Sequence, residues 1–403
     1  MTCISLTRLL SRFLASILLI SVAQTASAQE PGSRAEEQAR QQETKARSLS
    51  TYVSPWIEQR LLAVENAGGF GIARGLVVKF GDIKRGSGFA PGVGYGYTTS
   101  GGAVFVAKGV YSIKNYKLLY ASAQSPHFSA DRILFRAKAR WHDAPKVPLY
   151  PLGPDPSEFR TDYAETKTEV SGEALLKPVR FLRAGGGVGL EWFSTGFSHR
   201  ENPVGLPLFD SLPGAGADPR YVHSHAFAAF DLRDSEGYTR RGTLLSATYH
   251  DYRSNGNGAL SFGQLDGAVE QYLPILHGNW VIFLGLWAST TMTDDGREVP
   301  FFLMPTVGGH DLRGFKDYRF RDRHSIAWTA EYRWYAQEFL DAAIFYDAGK
   351  TVSTRSALDF DGLHSSIGAG VRLHTSVSTL VRLELARSRE GLRFIIGFSP
   401  VGP

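Results

Sequence analysis

The stretch VGGHDLRGFKDYRFRDR, Val307 to Arg323, gathers five Lys or Arg, one His and three Asp around a Gly-Gly and an Arg-Gly. A loop so long and so charged is unusual inside a compact domain, and it needs a polar environment to receive it. Two other constellations carry residue types capable of chemistry. YHDYRSNGNG (Tyr249 to Gly258) offers His250 as a base and Ser254 as a hydroxyl nucleophile. Four residues along a strand separate such groups by roughly 13 Å, whereas attack needs about 3 Å. Asn255-Gly256 beside them is a tight-turn pair, so the segment reads as the end of a hairpin. HSH puts His223 and His225 on one strand face, a possible start for a metal site. No carboxylate with a clear ligand role accompanies them, so a His pair at a strand start is expected and no metal is assigned. GVGYGYTTSGG (Gly92 to Gly102) is glycine-rich but opens no helix, which argues against a phosphate loop.

The elements that position these groups are strands. From Phe70 onward the dominant period is two. In HSIAWTAEYRWY, Ile326, Trp328, Ala330, Tyr332 and Trp334 share one face, and Ser325, Ala327, Thr329, Glu331 and Arg333 the other. In LDAAIFYDAGK, Leu340, Ala342, Ile344 and Tyr346 oppose Asp341, Ala343, Phe345, Asp347 and Gly349. STLVRLELARSRE sets Val381, Leu383 and Leu385 against Arg382 and Glu384. One face suits lipid, with Trp and Tyr at the interface, and the other suits a wet lumen. No helices are left over to cover a sheet. The expected fold class is therefore all-β: a transmembrane antiparallel β-barrel of about sixteen strands. The strands begin at 70–80, include 131–142 and 165–176, and end with 391–398. An even count puts both chain ends of the barrel on the periplasmic side, so Ser194 to Arg220 and Thr293 to Asp322 become outer loops.

Residues 1–28 read as a secretory leader for the Sec route. Arg8 and Arg12 precede the apolar FLASILLISVA, and Ala26-Ser27-Ala28 is a cleavage signal. The single cysteine, Cys3, lies before that apolar core, so neither a lipid anchor nor a disulfide framework is expected. Residues 29–69 are expected to form a periplasmic tether with a short helix, because Ile57, Leu61 and Val64 share a face and Gly68-Gly69 would end it. Residues 70–403 are assigned to the barrel. No window supplies the roughly 18 apolar residues of a membrane helix. The net charge of +5 is spread out, which argues against nucleic acid as a partner. No cofactor is expected.

Four segments resemble, in order, motifs of the BamA/TamA outer-membrane assembly superfamily, also called the bacterial surface antigen family. GGHDLRGF is similar to its Arg-Gly-Phe/Tyr loop motif, and FYDAG (Phe345, Asp347, Gly349) to its F-x-D-x-G strand motif. FDLRDSEGYTRRG (Phe230 to Gly242) is similar to its D-x-R-D…G turn, and VRLELA with LRFIIGF to its closing strands. The resemblance implies that Arg313 folds into the lumen and pairs with Asp347, with Glu331 as a second acceptor. It implies that Gly314 permits a backbone angle other residues avoid, and that Phe315 wedges beside the salt bridge. Lys316, Arg319, Arg321 and Arg323 are expected at the lumen or its rim. The chain resembles barrel-only members, without the periplasmic POTRA modules of the assembly and secretion members.

The function expected from this resemblance is non-enzymatic: insertion or translocation of polypeptide, or of lipid, at the Gram-negative outer membrane. Its route would be a weak lateral seam between GIARGLVVKFG and the last strand, with Phe394 and Phe398 on the seam. Outer-membrane lipid, lipopolysaccharide and an unfolded polypeptide are the expected partners. A passive pore or structural barrel is the competing class, and a lipid hydrolase using Ser254 a weaker third.

Overall fold

Period-two alternation is realised as one antiparallel sheet of sixteen strands, paired in chain order. The computed structural model describes residues 75–397 apart from 81–82, 130–131, 199–202, 257, 277–278, 338 and 376–377. The leader, the 29–69 helix, the start of the first expected strand and Phe398 lie outside the described residues. The first half of the sheet is β1 (Gly75–Phe80), β2 (Pro91–Thr98), β3 (Val104–Tyr111), β4 (Lys117–Gln124), β5 (Ile133–Leu149), β6 (Thr161–Val179), β7 (Leu182–Phe197) and β8 (Arg220–Asp231). β9 (Gly242–Ser254), β10 (Phe262–Ile275) and β11 (Trp280–Met292) follow. β12 (Thr306–Val307) and β13 (Phe320–Arg321) leave the wall and form their own two-stranded ladder. β14 (His324–Gln337), β15 (Leu340–Val352), β16 (His364–His374), β17 (Thr379–Ser388) and β18 (Gly391–Gly397) complete the barrel.

The two faces of the wall separate by chemistry. Ile344, Ile367, Leu385 and Phe394 are exposed on the outside, while Asp347, Arg372, Arg382 and Glu384 are buried within. Such charges are costly to bury unless each is paired, and the lumen pairs them. β5 runs to Leu149, well past the expected 142, despite Pro145 and Pro148. The β5–β6 register shifts between Ala144 and Val147, which takes Pro145 out of the ladder. On the other side, β4 pairs no further than Asp143, so the prolines sit on a locally free edge.

The end of the barrel that carries the long connections is closed by an apolar core. Tyr163, Phe193 and Tyr221 from the wall meet Phe209 of helix α1 (Leu206–Asp210) and Phe301 and Phe302 of the β11–β12 connection. Phe301 is fully buried, with its ring 4.8 Å from that of Tyr163 and 5.8 Å from that of Phe209. Each such aromatic contributes about 1.5–3 kcal/mol by burial, so the cap is stable packing rather than a loose loop.

At the opposite end, the β8–β9 connection lies over the mouth as a strap. Gly237 forms a parallel bridge with Ser378, between β16 and β17. Tyr238 stacks on His374 at 3.9 Å and donates its hydroxyl to Asp341 Oδ2 at 2.8 Å. Arg240 lies 4.7 Å from the centre of the Tyr335 ring.

Candidate functional site

The connection between β11 and β14 turns inward as a tongue. β12 and β13 pair at its base through Thr306↔Arg321 and Val307↔Phe320. Gly309 has a φ of +70°, a region that strains residues with a Cβ. Its N–H donates to Phe315 O at 3.0 Å and closes a small loop with Arg313 at the tip.

Arg313 is 1% exposed and uses its whole fork. Nε donates to Asp347 Oδ2 at 2.9 Å and Nη2 to Asp347 Oδ1 at 2.6 Å, a bidentate clamp. Its backbone N–H adds a third bond to Asp347 Oδ2 at 3.1 Å. Nη1 donates to Glu331 Oε2 at 2.9 Å and to Glu384 Oε1 at 3.0 Å. Thr329 Oγ1 accepts from Nη2 at 3.1 Å and donates onward to Asp347 Oδ1 at 2.7 Å. One side chain of the tongue is thus tied to β14, β15 and β17 together.

The wall supplies more cations. Arg372 and Arg333 donate to Glu331, and Arg382 Nη1 donates to Glu384 Oε2 at 3.1 Å. Arg382 also meets His310 of the tongue, Nη2 to Nε2, at 2.6 Å. Burial disfavours the Arg313 charge, but Asp347, Glu331 and Glu384 outweigh it and raise its pKa above the ordinary value. Asp311 on the same tongue behaves differently. Burial raises its carboxyl above the usual range, and Arg85 at 2.8 Å offsets this only in part.

Two expected details are corrected by this geometry. Gly314 is not in the left-handed region. It is small because it touches the wall: a Cβ there would stand 2.4 Å from Ser366 Cβ and 2.8 Å from Ser388 Cβ. Its N–H donates to Ser366 Oγ at 3.1 Å, and its carbonyl accepts from Ser388 Oγ at 2.8 Å. Phe315 packs with Val307, Leu312, Phe320 and Ala327. The ring on the guanidinium belongs to Phe345, whose centre is 3.3 Å from Arg313 Cζ. Gly349 lies in β15 under the tongue, where a Cβ would be 3.1 Å from Val307 Cγ1.

Arg319 and Arg321 do not line a wet lumen. Both are nearly fully buried and join the tongue to neighbouring loops. Arg319 Nη2 donates to Pro156 O at 2.9 Å and Nε to Glu390 Oε1 at 2.5 Å. Arg321 pairs through its backbone with Gly153 and donates to Phe301 O at 2.5 Å. Arg323 Nη2 reaches Thr293 Oγ1 at 2.8 Å, and Lys316 is exposed.

Carboxylates do stand beside His223 and its neighbour His250, although among the described residues no group of three or more His, Cys, Asp or Glu could hold a metal ion. Neighbouring strands bring Glu191 Oε1 to 3.0 Å from His223 Nδ1 and Asp266 Oδ2 to 3.3 Å from His250 Nε2. His223 and His250 meet at 3.0 Å, so the imidazoles bond each other and the wall. Ser254 Oγ instead donates to Asn255 O at 3.2 Å, so His250 and Ser254 take separate partners. Phe394 points outward from β18, opposite Leu385 in the β17 register. Among the described residues no ladder joins β1 to β18.

Residues 224–393 match the Omp85 superfamily domain. That domain holds Arg313 and its three carboxylates, Glu331, Asp347 and Glu384. The barrel is BamA-like in fold. BamA from Haemophilus ducreyi lacking POTRA domains 1–3 superposes with a TM-score of 0.60 at 13% identity, covering 85% of this chain and 77% of that one. CdiB from Escherichia coli gives 0.51 at 12% identity, over 77% of this chain and 57% of CdiB. CdiB from Acinetobacter baumannii gives 0.50 at 12% identity, over the same shares. At these identities the likeness concerns the fold. No curated protein matched the sequence of the chain.

Proposed function

We propose that this Omp85-type barrel works in the outer membrane, inserting or translocating polypeptide (or lipid), with Arg313 locking the tongue to the wall. The observation that carries the reading is the obstructed lumen. The tongue occupies it, an apolar cap covers one end and the strap lies over the other. A barrel occupied in this way has its wall as the natural working surface.

The wall is thinnest at its ends. Among the described residues β1 spans six and β18 seven, against nineteen in β6. Each strand edge with few ladder bonds is a template on which an incoming strand can pair. The assembly role of the superfamily that the motif set resembles agrees with such a seam. The lock then sets how readily β14, β15 and β17 shift beside it.

The test is reconstitution of the full chain into liposomes, followed by addition of an unfolded outer-membrane barrel substrate. Faster substrate folding than in empty liposomes is the expected result, and an unchanged rate refutes the proposal. The passive-pore reading is disfavoured by the cap. A large, steady conductance in planar bilayers would restore it.

A further inference from the structure

At the cap end of the barrel a cavity of about 870 Å³ opens between the β1–β2 connection, the end of β5, the tongue and β18. Its wall includes Gly86 and the β3–β4 turn on one side and Arg393 of β18 on the other. We propose that this cavity binds the phosphate-bearing headgroup of a membrane lipid. The inference rests on the outer-membrane reading but not on polypeptide insertion.

Charge is the first argument. Lys114, Lys146, Arg160, Lys316 and Arg393 line the cavity, against only Asp162 and Asp317. Both acids are already engaged: Asp162 Oδ1 accepts from Arg160 Nη2 at 2.8 Å, and Asp317 Oδ2 lies 3.6 Å from Arg393 Nη2. Lys114 Nζ donates to Gly86 O at 2.8 Å, a neutral acceptor that leaves its charge uncompensated. The ammonium groups of Lys146 and Lys316 have no ion-pair partner among the described residues, and both side chains are exposed. Three lysines thus face one space from the β3–β4 turn, the end of β5 and the tongue. Converging ammonium groups without carboxylates fit a polyanion with several acceptor oxygens.

A second, independent observation is Tyr150. It lines the cavity and is only 2% exposed, yet its hydroxyl has no hydrogen-bond partner among the described residues. A buried hydroxyl left unmatched is costly, and a phosphate oxygen would accept its proton.

The third argument separates a lipid from free phosphate. Ile113 lines the cavity and is 73% exposed. Its N–H donates to the carbonyl of Phe89, another exposed apolar residue. Leu392, next to Arg393 in β18, is 67% exposed on the outer face of the wall. A cationic hollow at the barrel rim, with exposed apolar side chains on the outer face of the wall beside it, matches an amphiphile, with phosphate in the hollow and acyl chains along the exterior.

The full chain, purified and folded in neutral detergent, is titrated with a diphosphorylated glucosamine lipid and with the same lipid after dephosphorylation. Native mass spectrometry counts retained lipid, and heat-modifiable gel migration reports folding of every variant. The phosphorylated form is expected to be retained about a hundredfold more tightly, on a scale of roughly fivefold for each basic residue at an anionic surface. Combined Lys114→Gln, Lys146→Gln and Lys316→Gln should abolish that preference while the barrel stays folded. Single Lys316→Gln should weaken it about fivefold. Arg132→Gln with Arg180→Gln, at the opposite end, should leave it intact. Equal retention of the two lipids, an unaffected triple variant, or equal loss in the Arg132 and Arg180 control would overturn the proposal. Displacement of the lipid by equimolar inorganic pyrophosphate would assign the cavity to a soluble phosphate and overturn it as well. Insertion activity is not read in this assay, so its failure leaves the insertion proposal standing.

Discussion

Replacing Arg313 with Ala should release the tongue without dissolving the barrel. Asp347 forms its ion pair with Arg313, and both groups are 1% exposed. After truncation Asp347 would keep two neutral donors, the Thr329 hydroxyl at 2.7 Å and, while the tongue stays docked, the backbone N–H of position 313 at 3.1 Å. Glu331 and Glu384 fare better, because Arg372 still reaches both. The dominant cost is therefore one buried carboxylate without a counter-ion, about 3–5 kcal/mol. The tongue can escape that cost by leaving the wall and admitting water, whereas the sheet ladders cannot. A penalty of this size raises the detached population by roughly two to four orders of magnitude. Chymotrypsin is the suitable probe, because Phe315 is 1% exposed in the docked state and the substitution leaves that cleavage site unchanged. Cleavage after Phe315 in the detergent-purified barrel should accelerate by a comparable factor, limited at the top by the protease itself. Adding Asp347→Ala should recover much of the loss, since no carboxylate then remains stranded. Unchanged cleavage in Arg313→Ala, or strictly additive losses in the double variant, would refute the reasoning.

Other consequences can be checked with the same preparation. Gly314→Ala should loosen the tongue by about 1–3 kcal/mol, as overpacking does, and Ser366→Gly should restore part of it in the chymotrypsin assay. Asp347→Asn keeps the shape but halves the clamp, so its cleavage rate should fall between wild type and Arg313→Ala. Phe301→Asp places an unpaired charge in the cap and should raise single-channel conductance in planar bilayers; an unchanged trace would mean that the cap does not seal the barrel. Tyr238→Ala removes the His374 stack and the Asp341 bond, and should lower the unfolding midpoint in a heat-modifiability series by an amount consistent with about 3 kcal/mol.

Much of the wall was legible because period two is a local property. Leu340 to Gly349 could be sorted into lipid and lumen faces from the sequence, and burial follows that alternation as far as Asp347. The extension of β5 was hidden because proline argues against strand unless a bulge removes it from the ladder, and a bulge is a property of the pair. In the site, the resemblance drew attention to Arg313, Asp347 and Glu331. Glu384 lies 71 residues from Arg313 and looks like any inward carboxylate of an alternating strand, so nothing local marks it as a third acceptor. Phe315 and Phe345 are equally apolar, and only the docked tongue shows which ring meets the guanidinium. The glycine at 314 was explained by dihedral freedom because sequence carries no information about the two serines pressed against it. Carboxylates beside His223 and His250 escaped notice for the same reason, since adjacent strands deliver them.

The strap also bears on the order of events when the barrel is made. Tyr238 bonds to a carboxylate 103 residues further along, and Gly237 bridges the connection that precedes the two final strands. Neither partner is in place until β15 and the β16–β17 connection have joined the wall, so the β8–β9 connection stays undocked until then. Its docking is therefore a late event that marks completion, and contacts of such long sequence separation are slow to form. A chain stalled before β15 would be betrayed by a free strap, open to proteases at Tyr238.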